Sequence, residues 1–350
     1  MAVSQASVIL SNRLRRIFSK FPQEQIKFSF AYGSGVYKQI NNYNSKNMID
    51  FIFVVDDAEK WHSSNLAMNP SHYSALSYLG SNCIAKLQTN FQARLYFNSM
   101  IRIKDENAVI KYGVITENDV VSDLLDWENL YIAGRLHKPV KILHQPSSSE
   151  LKTALQLNLC SAVHAALLIL PEYFTIIQFY QTITALSYNG DFRMIFGEDK
   201  NKVRNIVLGH KEKFKELYSP ILTSMSDYVE IPENQNDCEI NCNQDISPSA
   251  KHYHLNNLPR RVQRNLVKYW NKGLRARQDT EDVLRAMAFD KDCGEVLNII
   301  LSNIVWESSL KQSAKGILTA GVVTSFLYSM NKIGKMVTSK ETATAKPTKI

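Results

Sequence analysis

Cysteine is scarce in this chain. The 350 residues contain five cysteines, an odd number spread along the sequence at positions 83, 160, 238, 242 and 293. A disulfide framework of the secreted type is therefore not expected, and we expect the protein to reside in a reducing compartment. Cys238 and Cys242 precede His252 and His254, which suggests zinc ligands, but the spacing is loose for zinc and the region is polar.

The chain also lacks a long uninterrupted apolar run. Residues 153–171 carry no charge, but polar side chains interrupt them, so we predict a buried helix rather than a membrane span. Residues 316–331 are uncharged too, yet they are fewer than the ~20 apolar residues that a span needs. With 45% hydrophobic residues, the chain can bury a large core in two or three domains.

Acidic residues are missing from the first 23 positions, where Arg and Lys give a charge of +4. Residues 310–350 carry seven lysines and one glutamate, a charge of +6. The formal charge of the whole chain is +8, so residues 24–309 carry −2. Basic ends on a near-neutral body argue against nucleic acid as a partner and favour targeting or an anionic membrane surface.

The first helix has two interpretations. Val8–Phe21 places apolar residues at helical spacing with Arg and Lys between them. An amphipathic, basic and acid-free segment is typical of a mitochondrial presequence. The same pattern fits the first helix of a folded domain, and both interpretations hold if the segment is not cleaved.

Strand patterns dominate the first part of the chain and helix patterns the rest. We predict strands at 28–32, 48–55, 94–103, 109–116 and 139–143, the third and fourth forming an antiparallel pair. From about residue 147 the apolar period becomes helical, with helices at 148–170, 172–186, 200–218, 259–270 and 279–288. The expected division is a first domain at 1–146, a helical domain at 147–226, a flexible polar linker or insertion at 227–258 and a C-terminal helical region at 259–350.

The most informative segment is a glycine turn between two strands. Gly33, Ser34 and Gly35 separate the first two predicted strands, and the second strand carries one acid, Asp50, among apolar residues. A buried carboxylate is costly unless a cation or hydrogen-bond donor compensates it. A glycine turn can bring backbone N–H groups close to a phosphate. The segment predicts a metal-assisted nucleotide site, and a structural turn with a hydrogen-bonded Asp50 is the alternative.

A second charged segment could complete that site. Residues 187–200 contain Asp191, a candidate metal ligand, and Arg193 and Lys200, candidate contacts for phosphate oxygens. An ordinary loop with solvated charges is the alternative.

Two further groups could contact an anionic ligand. Arg135 and Lys138 lie in a short basic segment with aromatic neighbours, which suits an anionic headgroup or a stacked base. His62 and His72 lie in a polar stretch and could bind phosphate. A solvated basic face and surface histidines are the corresponding alternatives.

The C-terminal region contains a membrane candidate. Leu310–Met336 combines small and apolar residues with flanking lysines, which suits a helix lying in a membrane interface. A packed C-terminal helix is the alternative, and the tail from about Lys340 is expected to be disordered.

These motifs together resemble one family. The segments FAYGSGVY, MIDFIFVVDD, WHSSNL with NPSHYS, IKYGVI, NLYIAGRLHKPVK, SYNGDFRM with GEDKNKV, and QSAKGILTAG occur in this order. In this combination the chain resembles the mitochondrial phosphatidate cytidylyltransferases, the translocator-assembly-and-maintenance type of CDP-diacylglycerol synthase. The resemblance covers roughly residues 8–321.

The resemblance implies an α+β fold. A nucleotidyltransferase-like mixed sheet with flanking helices would be joined to a helical, winged-helix-like domain. It also implies an enzyme that is peripheral on the matrix face of the mitochondrial inner membrane. The expected reaction converts CTP and phosphatidate into CDP-diacylglycerol and pyrophosphate with Mg²⁺, on the route to cardiolipin.

Carried onto this sequence, the resemblance assigns the glycine turn to the CTP phosphates and Asp50 to a metal ion. Asp191 is the candidate for a further acid. Polymerase-β-type nucleotidyltransferases place a second acid two residues after the first, where this chain has Ile52. Two alternatives stay open, a soluble nucleotidyltransferase acting on another substrate and a non-catalytic import or assembly factor.

Overall fold

A computed structural model describes residues 5–37, 48–90, 93–196, 201–232, 241–273 and 277–320. The strands are β1 (Ile26–Tyr32), β2 (Ile49–Val55), β3 (Tyr96–Ile103), β4 (Ala108–Thr116), β5 (Lys141–His144), β6 (Tyr173–Thr175), β7 (Val229–Glu230) and β8 (Asn241–Gln244). The helices of the first part are α1 (Gln5–Phe18), α2 (Ala58–Met68), α3 (Gly80–Asn90), α4 (Glu117–Asp126) and α5 (Ile132–Leu136). Those that follow are α6 (Ser149–Ile169), α7 (Ile176–Ala185), α8 (Arg193–Phe196), α9 (Lys202–Gly209), α10 (Lys211–Thr223), α11 (Pro248–Asn256), α12 (Arg260–Trp270), α13 (Thr280–Phe289) and α14 (Cys293–Ala320).

Five strands form one mixed sheet in the order β3-β4-β2-β1-β5. Strands β2 and β4 are parallel, and the other neighbouring pairs are antiparallel. The five predicted strands are therefore present, and the predicted antiparallel pairing of β3 with β4 is confirmed. The α+β class is confirmed as well. The division into domains stays a prediction.

The two faces of the sheet bury different cores. Because side chains alternate along a strand, Ile52 and Val54 of β2 lie on one face, with Asp50, while Phe51 and Phe53 lie on the other. Ile52 and Val54 belong to a large core with α4–α7. Phe51 and Phe53 pack in a second core with Tyr112 of β4 and α1. We call these the Asp50 face and the Tyr112 face.

Helix α1 is part of the folded protein. Leu14, Ile17 and Phe21, at the end of α1 and just after it, are at most 1% exposed in the core of the Tyr112 face. Three basic residues form ion pairs with the turn between β3 and β4, namely Arg16 with Glu106 at 2.5 Å, Lys20 with Asp105 at 2.7 Å and Arg13 with Glu106 at 4.0 Å. Of the two interpretations of this segment, the structure supports the helix of a folded domain.

The predicted buried helix at 148–170 is confirmed as α6. Among the described helices it alone is long and apolar enough to cross a membrane, and half of its apolar window is buried inside the protein. The predicted helix at 200–218 is divided, because α9 ends at Gly209 and His210 leaves helical geometry before α10 begins.

Part of the segment expected as a flexible linker is regular. In residues 227–258, β8 pairs with β6 and β7, and α11 begins at Pro248 after a Ser247 cap. The polar composition was misleading here, because Gln244 is buried and its amide donates to the backbone oxygens of Leu167, Leu170 and Pro171.

The first part of the predicted interfacial helix belongs to α14, and one face of it is buried in the protein. Gln312 and Lys315 are 6% and 1% exposed, and they donate to the backbone oxygens of Leu95 and Gln88. One face of the helix therefore packs against the sheet domain at these positions, while Leu310 on the other side is exposed, so the membrane contact of this segment stays a prediction. Residues 321–336 of the predicted interfacial helix lie outside the described residues.

Candidate active site

The glycine turn packs directly against Asp50. Gly33 has a φ of +83°, and its backbone oxygen accepts hydrogen bonds from the N–H groups of Val36 and Tyr37. A Cβ at Gly33 would lie 2.8 Å from Oδ2 of Asp50, and one at Gly35 would lie 2.5 Å from the backbone oxygen of Met48. Glycine is thus required both for the left-handed backbone and for the approach of the carboxylate.

Cationic side chains lie beside Asp50 on the same face of the sheet. In the strand register Asp50 is opposite Tyr32 of β1 and Lys111 of β4. The Arg135 guanidinium lies 4.4 Å from the centre of the Tyr32 ring, and the Lys111 ammonium lies 4.0 Å from the centre of the Phe97 ring. Aromatic rings therefore hold both cations on the Asp50 face.

Arg135 has a pKa above its ordinary value. Burial by itself lowers the pKa, but the negative potential of Tyr188, Tyr32 and Asp50 outweighs this effect. The carboxylate and the guanidinium are thus electrostatically coupled, and Arg135 is charged at any pH at which the enzyme is folded.

Asp123 fixes the segment that carries Arg135. It is 3% exposed, and its carboxylate accepts hydrogen bonds from five backbone N–H groups at 2.7–3.1 Å, those of Asn129, Leu130, Tyr131, Ile132 and Ala133. These contacts satisfy amides at the N-terminus of α5 that have no helical partner. This positioning role is not predictable from the sequence, because a single Asp in a helix carries no signal of it.

A buried lysine extends the positive region. Lys138 is 4% exposed, and its ammonium donates to Ser187 Oγ at 2.6 Å and to the backbone oxygen of Gly134. Lys138 and Lys202 lie 5.0 and 5.2 Å from the centre of the Tyr188 ring. Burial, together with the charges of Arg135 and Lys202, lowers the pKa of Lys138 well below its usual range.

The corner between α9 and α10 reaches the glycine turn. The Tyr37 ring contacts the His210 ring edge-on, with 5.1 Å between centres, and the Lys213 ammonium lies 4.7 Å from the centre of the Tyr37 ring. Burial and the charge of Glu216 raise the pKa of Tyr37 to about 12, so its hydroxyl stays protonated. The helical part of the chain thus contributes charge to the site.

Asp191 is engaged by its neighbour in the sequence. Its carboxylate accepts from Nε of Arg193 at 2.9 Å and from an Nη of Arg193 at 2.5 Å. The next residue, Phe192, donates its N–H to Ser309 of α14. The two predicted site residues bind each other, and their predicted roles toward metal and phosphate stay predictions. Lys200 lies outside the described residues.

The structure does not bring His62 and His72 to Asp50. His62 is fully buried on the Tyr112 face, hydrogen-bonded to the Tyr73 hydroxyl at 2.8 Å and to Gln88 Oε1 at 3.0 Å. His72 contacts the Tyr112 hydroxyl at 3.2 Å. Burial lowers the pKa of each imidazole to about 4. Both rings are neutral and lie on the Tyr112 face, away from Asp50, where they take part in the packing of the core.

Metal ligands are sparse among the described residues, where no group of three or more His, Cys, Asp and Glu side chains could hold an ion. A single carboxylate such as Asp50 is nevertheless compatible with Mg²⁺, because that ion commonly binds one or two carboxylates and completes its shell with substrate phosphates and water. The zinc interpretation gains no support, since Cys242 is buried and His254 contacts His164 at 2.8 Å. Cys238 lies outside the described residues.

A mixed sheet with a glycine turn, a carboxylate on the adjoining strand and a surrounding group of cations defines a nucleotidyltransferase-like protein. The family described as "Phosphatidate cytidylyltransferase, mitochondrial" matches residues 14–335, and the chain belongs to this family.

Curated relatives carry the same description. Those of Danio rerio and Mus musculus are each 44% identical over 325 residues, covering 92% of this chain and 94% of the relative. That of Xenopus laevis is 44% identical over 330 residues, covering 93% of this chain and 95% of the relative.

Proposed function

We propose that this chain transfers the cytidylyl group of CTP to phosphatidate, giving CDP-diacylglycerol and pyrophosphate in mitochondria. The observation that carries the proposal is the group of cations around Asp50 and the glycine turn. Arg135 and Lys111 lie beside Asp50, and Lys138 and Lys202 extend the positive region around Tyr188, next to Arg135. Such a region suits a ligand with several negative charges. A nucleoside triphosphate and a phosphate monoester together supply that charge.

The chemistry needs alignment more than proton transfer. A phosphate oxygen of phosphatidate forms a bond to the α-phosphorus of CTP, while the bond from that phosphorus to the bridging oxygen of the β-phosphate breaks. Pyrophosphate leaves with the electron pair. The attacking oxygen is already ionised at neutral pH, so no general base is required, and the residues of the site act by orientation and charge neutralisation.

The residues divide by position. The glycine turn and Arg135 lie next to Asp50 and suit the CTP phosphates, since Arg offers several donors to phosphate oxygens. Lys138 and Lys202, around Tyr188, suit the remaining charge of the triphosphate or the headgroup of phosphatidate. Mg²⁺ held by Asp50 and the phosphates would neutralise charge on the transferring group when bound.

The lipid substrate requires contact with a membrane. We place the enzyme on the matrix face of the inner membrane as a peripheral protein, supplying CDP-diacylglycerol for cardiolipin. The excess of lysine after residue 310 supports attraction to an anionic lipid surface. One face of α14 packs inside the protein, and Trp306 and Leu310 are exposed on its other side, so membrane contact can begin within α14 and continue into later residues.

The test is turnover by the purified full chain with radiolabelled CTP, Mg²⁺ and liposomes containing phosphatidate. We expect labelled CDP-diacylglycerol from the wild type. Asp50→Asn should lower the rate by about 10³-fold or more, because it removes charge where the metal binds. Its unfolding temperature should not fall.

Asp56→Asn is the matched control, because Asp56 directly follows the same strand and its side chain is 64% exposed. This variant should turn over normally. If the folded wild-type protein makes no lipid-linked CMP, the proposed activity is refuted, and a non-catalytic assembly factor is the remaining interpretation. CMP transfer to a soluble acceptor alone would indicate another nucleotidyltransferase.

A further inference from the structure

The strand positions around Asp50 provide no second acid of the kind that a two-metal site needs. Ile52, two residues further along β2, is 1% exposed in the core and provides no ligand. On the adjoining strand β4 the residue in register with Asp50 is Lys111. On the other side, Tyr32 lies under the Arg135 guanidinium. One carboxylate is therefore flanked by positive charge on both sides.

Other acids do not make up the difference in the described part of the chain. No group of three potential ligands is present there, and Asp191 binds Arg193 through both carboxylate oxygens. The sequence between the glycine turn and Asp50, residues 36–49, contains neither Asp nor Glu. A pair of metal ions about 4 Å apart normally shares several carboxylates, and this donor set does not fit such a pair.

We propose that Lys111 is a catalytic residue that contacts the CTP triphosphate in place of a second metal ion, so that the site works with one divalent ion on Asp50. The inference rests on the proposed function and deepens it. Lysine binds phosphate as a compact point charge with three donors, which suits neutralisation of charge on leaving pyrophosphate.

The surroundings of Lys111 favour this role. Neighbouring strands lie about 4.8 Å apart, so the Lys111 side chain starts directly beside that of Asp50. Its ammonium lies over the Phe97 ring, and the side chain is half-buried. In the proposed arrangement the Lys111 ammonium neutralises the charge that develops on the bridging oxygen when its bond to the α-phosphorus breaks.

The experiment compares Lys111→Met, which keeps the length of the side chain and removes its charge, with Lys111→Arg. Lys104→Met is the control, since Lys104 is exposed in the turn between β3 and β4. CTP affinity is measured without phosphatidate, so that no turnover occurs, and Mn²⁺ bound per protein–CTP complex is counted by electron paramagnetic resonance. Turnover is then measured with phosphatidate liposomes.

We expect one Mn²⁺ per complex in the wild type and in Lys111→Met. Lys111→Met should weaken CTP binding by about 10- to 100-fold, the usual loss for a hydrogen bond to a charged group, and should lower turnover further. Lys111→Arg should recover part of the affinity, and Lys104→Met should match the wild type.

Two Mn²⁺ ions per wild-type complex, or wild-type CTP affinity in Lys111→Met, would overturn the inference. Either result leaves the proposed function standing if the wild type makes CDP-diacylglycerol. Failure of the wild type to make that product, with CTP still bound, refutes the proposed function instead. Unfolding temperatures of all three variants separate loss of contact from loss of fold.

Discussion

Lys111 and Tyr112 are neighbours in β4, yet they face two very different polar clusters. Lys111 belongs to the Asp50 face, with Arg135 and the glycine turn. The Tyr112 hydroxyl lies at the centre of a buried network on the other face, with His62 and His72 nearby. We compare the two clusters to distinguish residues that are suited to bind a ligand from residues that stabilise the core.

The side chains that meet at the Tyr112 hydroxyl are neutral, and they hydrogen-bond to one another. The Tyr112 hydroxyl accepts hydrogen bonds from Asn65 at 3.0 Å and from Asn98 at 2.8 Å. Burial raises the pKa of Tyr112 well above its usual value and lowers that of His62 to about 4. Hydrogen bonds of this kind offset the cost of burying polar groups and leave no charge to attract a ligand.

The cluster of the Asp50 face is charged and unbalanced. Burial, together with the charges of Arg135 and Lys202, lowers the pKa of Lys138, which shows that these like charges repel one another in this region. This repulsion costs free energy in the folded protein, and the binding of a phosphate offsets that cost. The lesson of the comparison is that a concentration of like charge, and not the presence of His or Tyr, indicates function in this fold.

Among substitutions in the two clusters, Arg135→Ala should have the largest effect on activity. We expect kcat/KM for CTP to fall by about 10³-fold, because a fixed donor next to the transferring phosphate is lost. The unfolding temperature should fall only slightly, because the lost contacts with Tyr32 and Asp50 are partly offset by relief of repulsion with Lys138. Steady-state kinetics with phosphatidate liposomes and a thermal unfolding scan measure both.

Arg135→Lys is the matched variant, because it keeps the charge but loses the planar group that stacks on Tyr32. It should recover only part of the activity. Wild-type kinetics in Arg135→Ala would mean that the positive cluster is not the phosphate site, and the contrast between the two faces would lose its functional meaning.

Much of the scaffold was predictable from the sequence, because alternation and turn residues are local signals. The strands of the sheet, α6 and the contact of Asp50 with the glycine turn follow from residues that are close in the chain. The apolar period also predicted which side chains of β2 share a face.

Contacts between distant segments were not predictable. Lys202 reaches the Tyr188 ring after an intervening helix, and Asp123 holds backbone groups six to ten residues away. His62 and His72 looked like ligand contacts because polar residues cluster there in the sequence. That cluster is instead the buried network, whose partners Gln88 and Tyr112 come from other elements.

The Tyr112 face should respond to acid more than to substrate. The pKa of His62 is about 4 in the folded protein and ordinarily 6.5, so the unfolded chain binds the proton more readily between these values. Stability is therefore complete above pH 6.5 and is lost as the pH falls toward 4. Between pH 7 and 5 this one residue should cost about 2 kcal/mol.

Denaturant unfolding at several pH values measures the effect. His62→Gln removes the titrating ring, so its free energy of unfolding should fall less between pH 7 and 5 than that of the wild type, by about 2 kcal/mol. The other buried histidines, His137, His164 and His254, titrate alike in both proteins and cancel in the comparison. An equal slope in the two proteins would show that His62 is accessible to protons, contrary to its burial.

The smallest effect should come from Tyr112→Phe, which removes one hydroxyl from the closed network. Asn65 keeps a hydrogen bond to the Tyr73 hydroxyl at 2.9 Å, so the main loss falls on Asn98. One stranded buried donor costs about 1–2 kcal/mol in the free energy of unfolding. Because Tyr112 points away from Asp50, kcat and KM should stay within about twofold of the wild type. A tenfold fall in kcat with unchanged stability would connect the two faces through β4, and Lys111 next to Tyr112 would be the first residue to examine.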